Sequence, residues 1–509
     1  MNRLLSKVIF VAISIFLISC VAKKPIVSES SIIVNKESEA SKWFAANSNR
    51  PPKLRAFLKK MPKGGDLHTH VSGAVYAESY LKWAADENLC VNPTTAAISE
   101  KNHAPCNEIT EVPITNAFQN SELYGHLIDK LSLRNFKYAN QSGHDQFFEA
   151  FAKFNGGTKG MMIAELSNRA AKQNIAYLEM MLSIGKKFSK KFSKQVKFNG
   201  DIGATYNKLI AAGLQNTIVN GQQELAQHEQ QATEVLKCNT VNAQPGCSVE
   251  RRYVLQIIRI KNPSRVFSQL VYAFEMVKAD LLAVGLNMVA PEDDVVSLKD
   301  YDLHMKMVGY LSKQYPNVSI SLHAGELTLG LVPPKQLTDH IQKAVTIANA
   351  KRIGHGVDIF YEDNPFQLMR NMKAKELLVE ICLSSNDLIL GVKGEQHPFP
   401  EYLEAGVPVT LATDDEGISR IDLTHEYQRA VQDYNLTYPE VKTLVRNSIH
   451  YSFLAGESLW TDRSYQQLNK ICQQSNSDSC KLFLQKNDKA NMQWKLEQQF
   501  VKFENSEWF

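Results

Sequence analysis

Four short segments, far apart in the chain, carry the residue types needed to bind and use one metal ion. They are His68-Thr69-His70, His323-Ala324-Gly325-Glu326, Gly354-His355-Gly356 and Thr413-Asp414-Asp415. Alternate residues of a strand point to one face, so His68 and His70 share a face if 66–70 is extended. Neutral imidazoles at that spacing can share a cation. The same alternation places Ser319, Ser321 and His323 together, with Ile320 and Leu322 facing the other way. Glu326, three residues past His323, can stand over a metal without binding it, as a general acid or base must. His355 lies between two glycines, which admit close backbone approach. Two consecutive carboxylates after an apolar run are costly unless paired or bound to a cation. Successive residues diverge, so one can bind metal while the other faces a substrate. Each segment alone has a plainer reading: two core histidines, a helix-start Glu, an N-cap Asp pair. All four together favour hydrolysis by metal-activated water.

Each segment ends an apolar run that reads as a buried strand. Eight such runs can be placed. The first ends at His70, and the others span 175–182, 253–260, 281–289, 318–323, 352–357, 377–383 and 407–413. Patterns such as 158–172, 201–236 and 334–350 read as helices between them. Alternating strands and helices predict a parallel sheet, and eight units predict a closed (β/α)8 TIM barrel. Such a barrel presents its chemistry at the C-terminal ends of its strands, where all four segments fall. Two insertions are expected, at 88–118 as a loop and at 237–250, with a polar helical extension from about 456.

The chain resembles the adenosine deaminase family of the metal-dependent amidohydrolase superfamily. The resemblance rests on Met61-Pro62-Lys63-Gly64-Gly65-Asp66-Leu67-His68-Thr69-His70, His323-Ala324-Gly325-Glu326 and Arg352-Ile353-Gly354-His355-Gly356. It continues through Leu383-Ser384-Ser385-Asn386, His397-Pro398, Gly406-Val407-Pro408-Val409-Thr410 and Thr413-Asp414-Asp415. Their order holds over roughly residues 53–455. The Met-Pro-Lys-Gly-Gly start and an export signal resemble the secreted, growth-factor-related branch. The resemblance implies that His68, His70, His323 and Asp414 hold one zinc ion. It implies that His355 orients the attacking water, that Glu326 protonates purine N1 and that Asp415 bonds N7. Adenosine or 2′-deoxyadenosine would then yield inosine or 2′-deoxyinosine and ammonia. The sequence departs from the family where substrate is held. Ser72 stands where relatives carry a ribose-binding Asp, Ala290 where they carry Gly, Asn287 where they carry Asp, and Met181 where an Arg is frequent. These departures leave open a modified adenosine or another aminopurine as substrate. A non-catalytic nucleoside-binding lipoprotein is a further alternative, disfavoured because a binding module has no need of Glu326 beside a metal.

The N-terminus predicts export. Arg3 and Lys7 precede an apolar run, Val8 to Ile18, too short to span a membrane comfortably, so a cleaved signal is expected over 1–19. Leu17-Ile18-Ser19-Cys20 resembles a bacterial lipobox, which implies lipidation at Cys20, a polar tether over 20–45 and the enzyme over 46–509. Val21 in place of Asp favours the outer membrane by the same resemblance, facing the periplasm or the cell surface. The formal charge of +4 falls to +2 without residues 1–19, which remove two cations and no acid. No strongly basic field remains to suggest nucleic acid. Of eight cysteines, six fall in local pairs: Cys90 with Cys106, Cys238 with Cys247, and Cys472 with Cys480. These are candidate disulfides for an oxidising compartment, while Cys382 in an apolar run reads as a buried thiol.

Overall fold

Eight short apolar strands pair in parallel, in chain order, as one sheet. The structure is a computed structural model that describes residues 37–101, 105–138, 140–475 and 477–506. The strands are β1 (Gly65–His70), β2 (Tyr177–Leu182), β3 (Glu250–Ile258), β4 (Ala283–Val289), β5 (Ser319–Ala324), β6 (Arg352–His355), β7 (Leu378–Ile381) and β8 (Val409–Leu411). A parallel bridge between Thr69 and Asp414 joins the last strand's end to the first and closes the barrel. Helices follow the strands around the outside. Every residue of β1 and β2 is buried, as expected where helices cover one face and the barrel interior fills the other. All eight expected strands are present, with ends shifted by a few residues.

The helical expectations hold less evenly. Lys159–Lys172 forms as expected, with Thr158 capping the Met161 amide. The pattern over 201–236 divides into Ile202–Ala211, a 3-10 turn Leu214–Thr217, and Ile218–Val235. Gly213, at φ +85°, turns the chain between the first two. The pattern over 334–350 becomes a 3-10 turn, Pro334–Leu337, and a short helix, His340–Thr346. The 88–118 segment is not a plain loop. Cys90–Val91 pairs antiparallel with Val112–Pro113, and Val91, Ala96 and Ile98 are buried beneath it.

The tether expectation reaches too far into the chain. Residues 37–45 belong to the helix Glu37–Asn47, whose Ala40 and Phe44 are buried. Trp43 stacks on Phe57 with ring centroids 5.3 Å apart. Apolar residues at helical spacing override the polar composition there. The export segment, Cys20 and Trp508-Phe509 lie outside the described residues. The C-terminal extension becomes helical later than expected, in Asp478–Lys486 and Asp488–Glu504. It packs on the barrel's own helices, where Lys442 lies 2.6 Å from Glu504 and 3.0 Å from Glu37. All three local cysteine pairs are disulfides, and Cys382 is buried and free.

The barrel interior holds a buried ion cluster. Arg352 opens β6 and lies 2.6 Å from both Glu179 and Glu380, with none of the three side chains exposed. Its guanidinium also stacks 3.6 Å from the Phe453 ring. Removing one member of such a cluster strands the opposite charges. Arg352→Met should therefore lose about 3–5 kcal/mol of stability, read as a lower denaturant midpoint. A loss below about 1 kcal/mol, the scale of a surface pair, would mean that the cluster is not organised by this cation.

Candidate active site

The four segments meet at the C-terminal mouth of the barrel. His68 and His70 come from β1, His323 from β5, and Asp414 follows β8. All are buried. His68 Nε2 lies 3.1 Å from His323 Nε2, and His70 Nε2 lies 3.3 Å from the same atom. Asp414 Oδ1 is 3.5 Å from His68 Nε2 and 3.2 Å from His70 Nε2. Four tetrahedral ligands at about 2.0–2.1 Å from a metal would stand about 3.3–3.4 Å from one another. The spacing, the donor set and the burial therefore fit one cation.

Each of these four side chains has a polar partner behind it. Glu380 Oε2 lies 2.7 Å from His68 Nδ1 and accepts its proton, turning the Nε2 lone pair inward. Asn287 Oδ1 lies 2.8 Å from His323 Nδ1 and also accepts the His323 amide. Gln256 Nε2 lies 2.7 Å from His70 Nδ1; with the amide turned over, its oxygen would accept from that ring nitrogen. Ser385 donates to Asp414 Oδ2 at 2.7 Å. Gly354 leaves room for this packing, since a Cβ there would stand 2.6 Å from His68 Cε1. Burial opposes charge on His68, but Asp414 and Glu380 outweigh it and push the imidazole up to about 10. A cation bound at Nε2 would take the place of that proton. Burial also pushes Asp414 up, yet hydrogen bonds from His68 and His70 hold it well below the usual carboxylate range.

Three further groups face the same point. Burial, reinforced by Asp414, pushes Glu326 up to about 8, so it holds a proton at neutral pH. Burial holds His355 down to about 3, so its ring is neutral. Its Nε2 is buried without a hydrogen-bond partner and lies 3.6 Å from Glu326 Oε1. Burial and the neighbouring Asp414 raise Asp415 well above its usual range, and its Oδ1 has no partner either. Unpaired buried polar atoms are expensive; Glu326 and Asp415 line one cavity, and His355 lies behind Glu326. Backbone strain collects here too. Ala290, His355 and Asp414 have φ of +87°, +71° and +59°, a region that costs a residue with a Cβ of order 1–3 kcal/mol.

The cavity is about 470 Å³ and is lined by His70, His323, Glu326, Asp414 and Asp415 at its metal end. Ser72 and Ala290 both line it. Its outer wall comes from a helix that the sequence reading missed, Gly143–Ala150, through Phe147 and Phe148, with Phe151 just beyond. His144 ties that helix to the segment after β4, with Nε2 3.1 Å from Asp293. Glu380 and Gln256 were also missed, because neither stands beside a ligand in the chain. The signal for Gln256 was a polar residue inside an apolar strand, and for Glu380 a carboxylate in another.

A sequence model of the family described as Adenosine deaminase matches residues 164–460. An adenosine deaminase of Clostridium perfringens is 28% identical over 185 residues, covering 36% of this chain and 52% of that protein. One from Enterococcus faecalis is 35% identical over 142 residues, covering 28% and 39%. The chain thus spans about half, or less, of the curated relatives it matches. Among solved structures, the adenine deaminase of Arthrobacter aurescens superposes with a TM-score of 0.50 at 18% identity, covering 87% of this chain and 99% of that one. The N6-methyl-AMP deaminase of Arabidopsis thaliana gives 0.50 at 19%, covering 78% and 94%. At that identity these two show a shared fold. The family match covers more than half of the chain, and the protein belongs to the adenosine deaminase family.

The partners behind the ligands can be tested. Glu380→Gln removes the charge opposite His68 Nδ1–H and should weaken metal binding about 10–100-fold in a competitive chelator titration. Unchanged affinity would mean that Glu380 serves the ion cluster alone. Asp414→Ala should lower metal content; full occupancy in that variant would remove it as a ligand.

Proposed function

We propose that this protein is a zinc-dependent hydrolase that deaminates adenosine and 2′-deoxyadenosine to inosine, or 2′-deoxyinosine, and ammonia. The observation that carries this reading is the convergence of four ligand atoms with a protonated carboxyl, Glu326, at one end of a buried cavity. Zinc bound there would lower the pKa of a water molecule from about 15.7 to about 7, supplying the nucleophile at neutral pH.

The chain's residues supply the rest. Attack on purine C6 is uphill unless N1 takes a proton, and Glu326 holds one at neutral pH. As the C6–O bond forms, Glu326 donates to N1. The C6–N bond then breaks, and the proton of the new hydroxyl leaves with the amine as ammonia. The proton first lost by water restores Glu326, so the cycle balances. Burial pushes the Asp415 carboxyl up, and in its neutral form it would donate to N7, which only accepts. His355 faces the attacking oxygen through Nε2.

The substrate side supports a second reading, a modified adenosine or another aminopurine. Ala290 holds φ +87° against the cavity, where its methyl narrows the space for a base. Ser72 offers a neutral hydroxyl, a weaker anchor than a carboxylate for a ribose hydroxyl. Ammonia release from a panel of aminopurines, with a chelator control, separates the two readings. Chelator-sensitive release from adenosine supports the first, and release only from other members supports the second.

The location proposed is outside the cytoplasm, with a lipid on Cys20 and the enzyme at the outer membrane. Three disulfides support an oxidising compartment. Radiolabelled fatty acid should enter the protein and be lost in Cys20→Ser; labelling that persists would refute the anchor.

Glu326→Gln should retain zinc while turnover falls about 10²–10⁴-fold; near-wild-type rates would remove Glu326 as the acid. The pH profile follows from the sign of its shift. The acid works protonated, so the rate should fall as pH rises through a value at or below about 8, because a nearby cation favours the carboxylate. A rate still rising above that value would contradict the role.

A further inference from the structure

Behind His355 runs a short hydrogen-bonded chain that the deaminase reading leaves without a role. His355 Nδ1 lies 3.1 Å from Asn386 Nδ2, and Asn386 Oδ1 lies 3.0 Å from His397 Nε2. His397 Nδ1 lies 3.1 Å from the backbone N of Phe399. All three side chains are buried. Neighbouring donors and acceptors must alternate along such a chain, and one end is fixed. A backbone N–H can only donate.

His397 Nδ1 must therefore accept from Phe399. A neutral ring that accepts at Nδ1 carries its proton on Nε2, so His397 donates to Asn386 Oδ1. That orients the amide, whose Nδ2 then donates to His355 Nδ1. His355 accepts at Nδ1 and keeps its proton on Nε2, the atom that faces Glu326 and has no partner. Turning the amide over would set two N–H donors against each other at His397 Nδ1, since His397 Nε2 would have to accept.

We propose that Asn386 and His397 are positioning residues that lock His355 in its Nε2–H tautomer. His355 then acts as a hydrogen-bond donor to the attacking oxygen and cannot serve as the base that takes its proton. The proposal rests on the deaminase reading for the identity of that oxygen, but the tautomer itself does not. A donor fixed before the reaction needs no reorganisation as charge develops on the oxygen.

The test is ¹⁵N NMR of the full chain labelled at histidine and loaded with zinc, with His355 assigned by its loss in His355→Gln. The expected spectrum shows His355 protonated at Nε2 and bare at Nδ1. A proton on Nδ1, or a mixture of tautomers, overturns the proposal. Asn386→Asp replaces the donor with a carboxylate that accepts from both rings. It should move the His355 proton to Nδ1 and lower kcat by about 10²–10³-fold, the scale of one lost oxyanion donor, with KM little changed. A folded Asn386→Asp protein with wild-type kcat also overturns it. His397→Gln, whose amide can still donate to Asn386, should keep the wild-type tautomer, while His397→Leu should lose it; identical behaviour of the two overturns the relay even if Asn386→Asp does not fold. If the wild-type protein turns over no aminopurine, the deaminase reading fails, and the spectrum still decides the relay.

Discussion

Asp414 does two things at once, and the structure depends on their coincidence. Its backbone closes the barrel, since its amide donates to the His68 carbonyl at 2.8 Å and its carbonyl accepts from the His70 amide at 3.1 Å. Its side chain faces the imidazoles of those same two residues. Barrel closure and ligand convergence are thus one event. The residue adopts φ +59° to manage both, a strain that closure and ligand contacts together must offset.

Around that seam the barrel interior is charged as well as apolar. Glu380 touches His68 with one oxygen and Arg352 with the other, and Arg352 reaches Glu179 across the interior. Buried ion clusters seldom add stability over apolar packing. Here the cluster holds the Glu380 carboxylate charged behind His68, fixing a proton on Nδ1 and turning Nε2 toward Asp414. Above the cation site the logic reverses. Glu326 and Asp415 are buried beside Asp414, and burial pushes both carboxyls up, Glu326 to about 8. Carboxyl groups with opposite pressures on their protons lie within one small space, a common sign of acid–base chemistry.

The sequence made the strands and the metal-facing residues legible for the same reason. A barrel strand alternates between interior and helix layer, so Ser321 and His323 were separable from Ile320 and Leu322 by period alone. Ser321 indeed meets Asn287 and Glu380 in the interior, while Ile320 and Leu322 join the core. Ala290 departs from the family's glycine, and its φ of +87° shows why glycine suits that place. What pattern could not show was pairing across the barrel. Glu380 lies 312 positions from His68, and no local signal links them. The direction of hydrogen bonds through His397 and Asn386 was equally hidden, because it is fixed by one backbone amide. The tether was misjudged at its end because the few apolar residues of 37–47 acquire meaning only against Phe57 and Tyr438.

The proposed function requires four residues from three parts of the barrel to share one zinc ion. X-ray absorption at the zinc edge, with an anomalous difference map from a crystal of the zinc-loaded protein, tests it most directly. One zinc per chain is expected, held by three imidazole nitrogens and at least one oxygen at about 2.0–2.2 Å, with density between His68, His70, His323 and Asp414. Sulfur in the coordination shell, a zinc ion elsewhere with this cluster empty, or two ions sharing the cluster would contradict it.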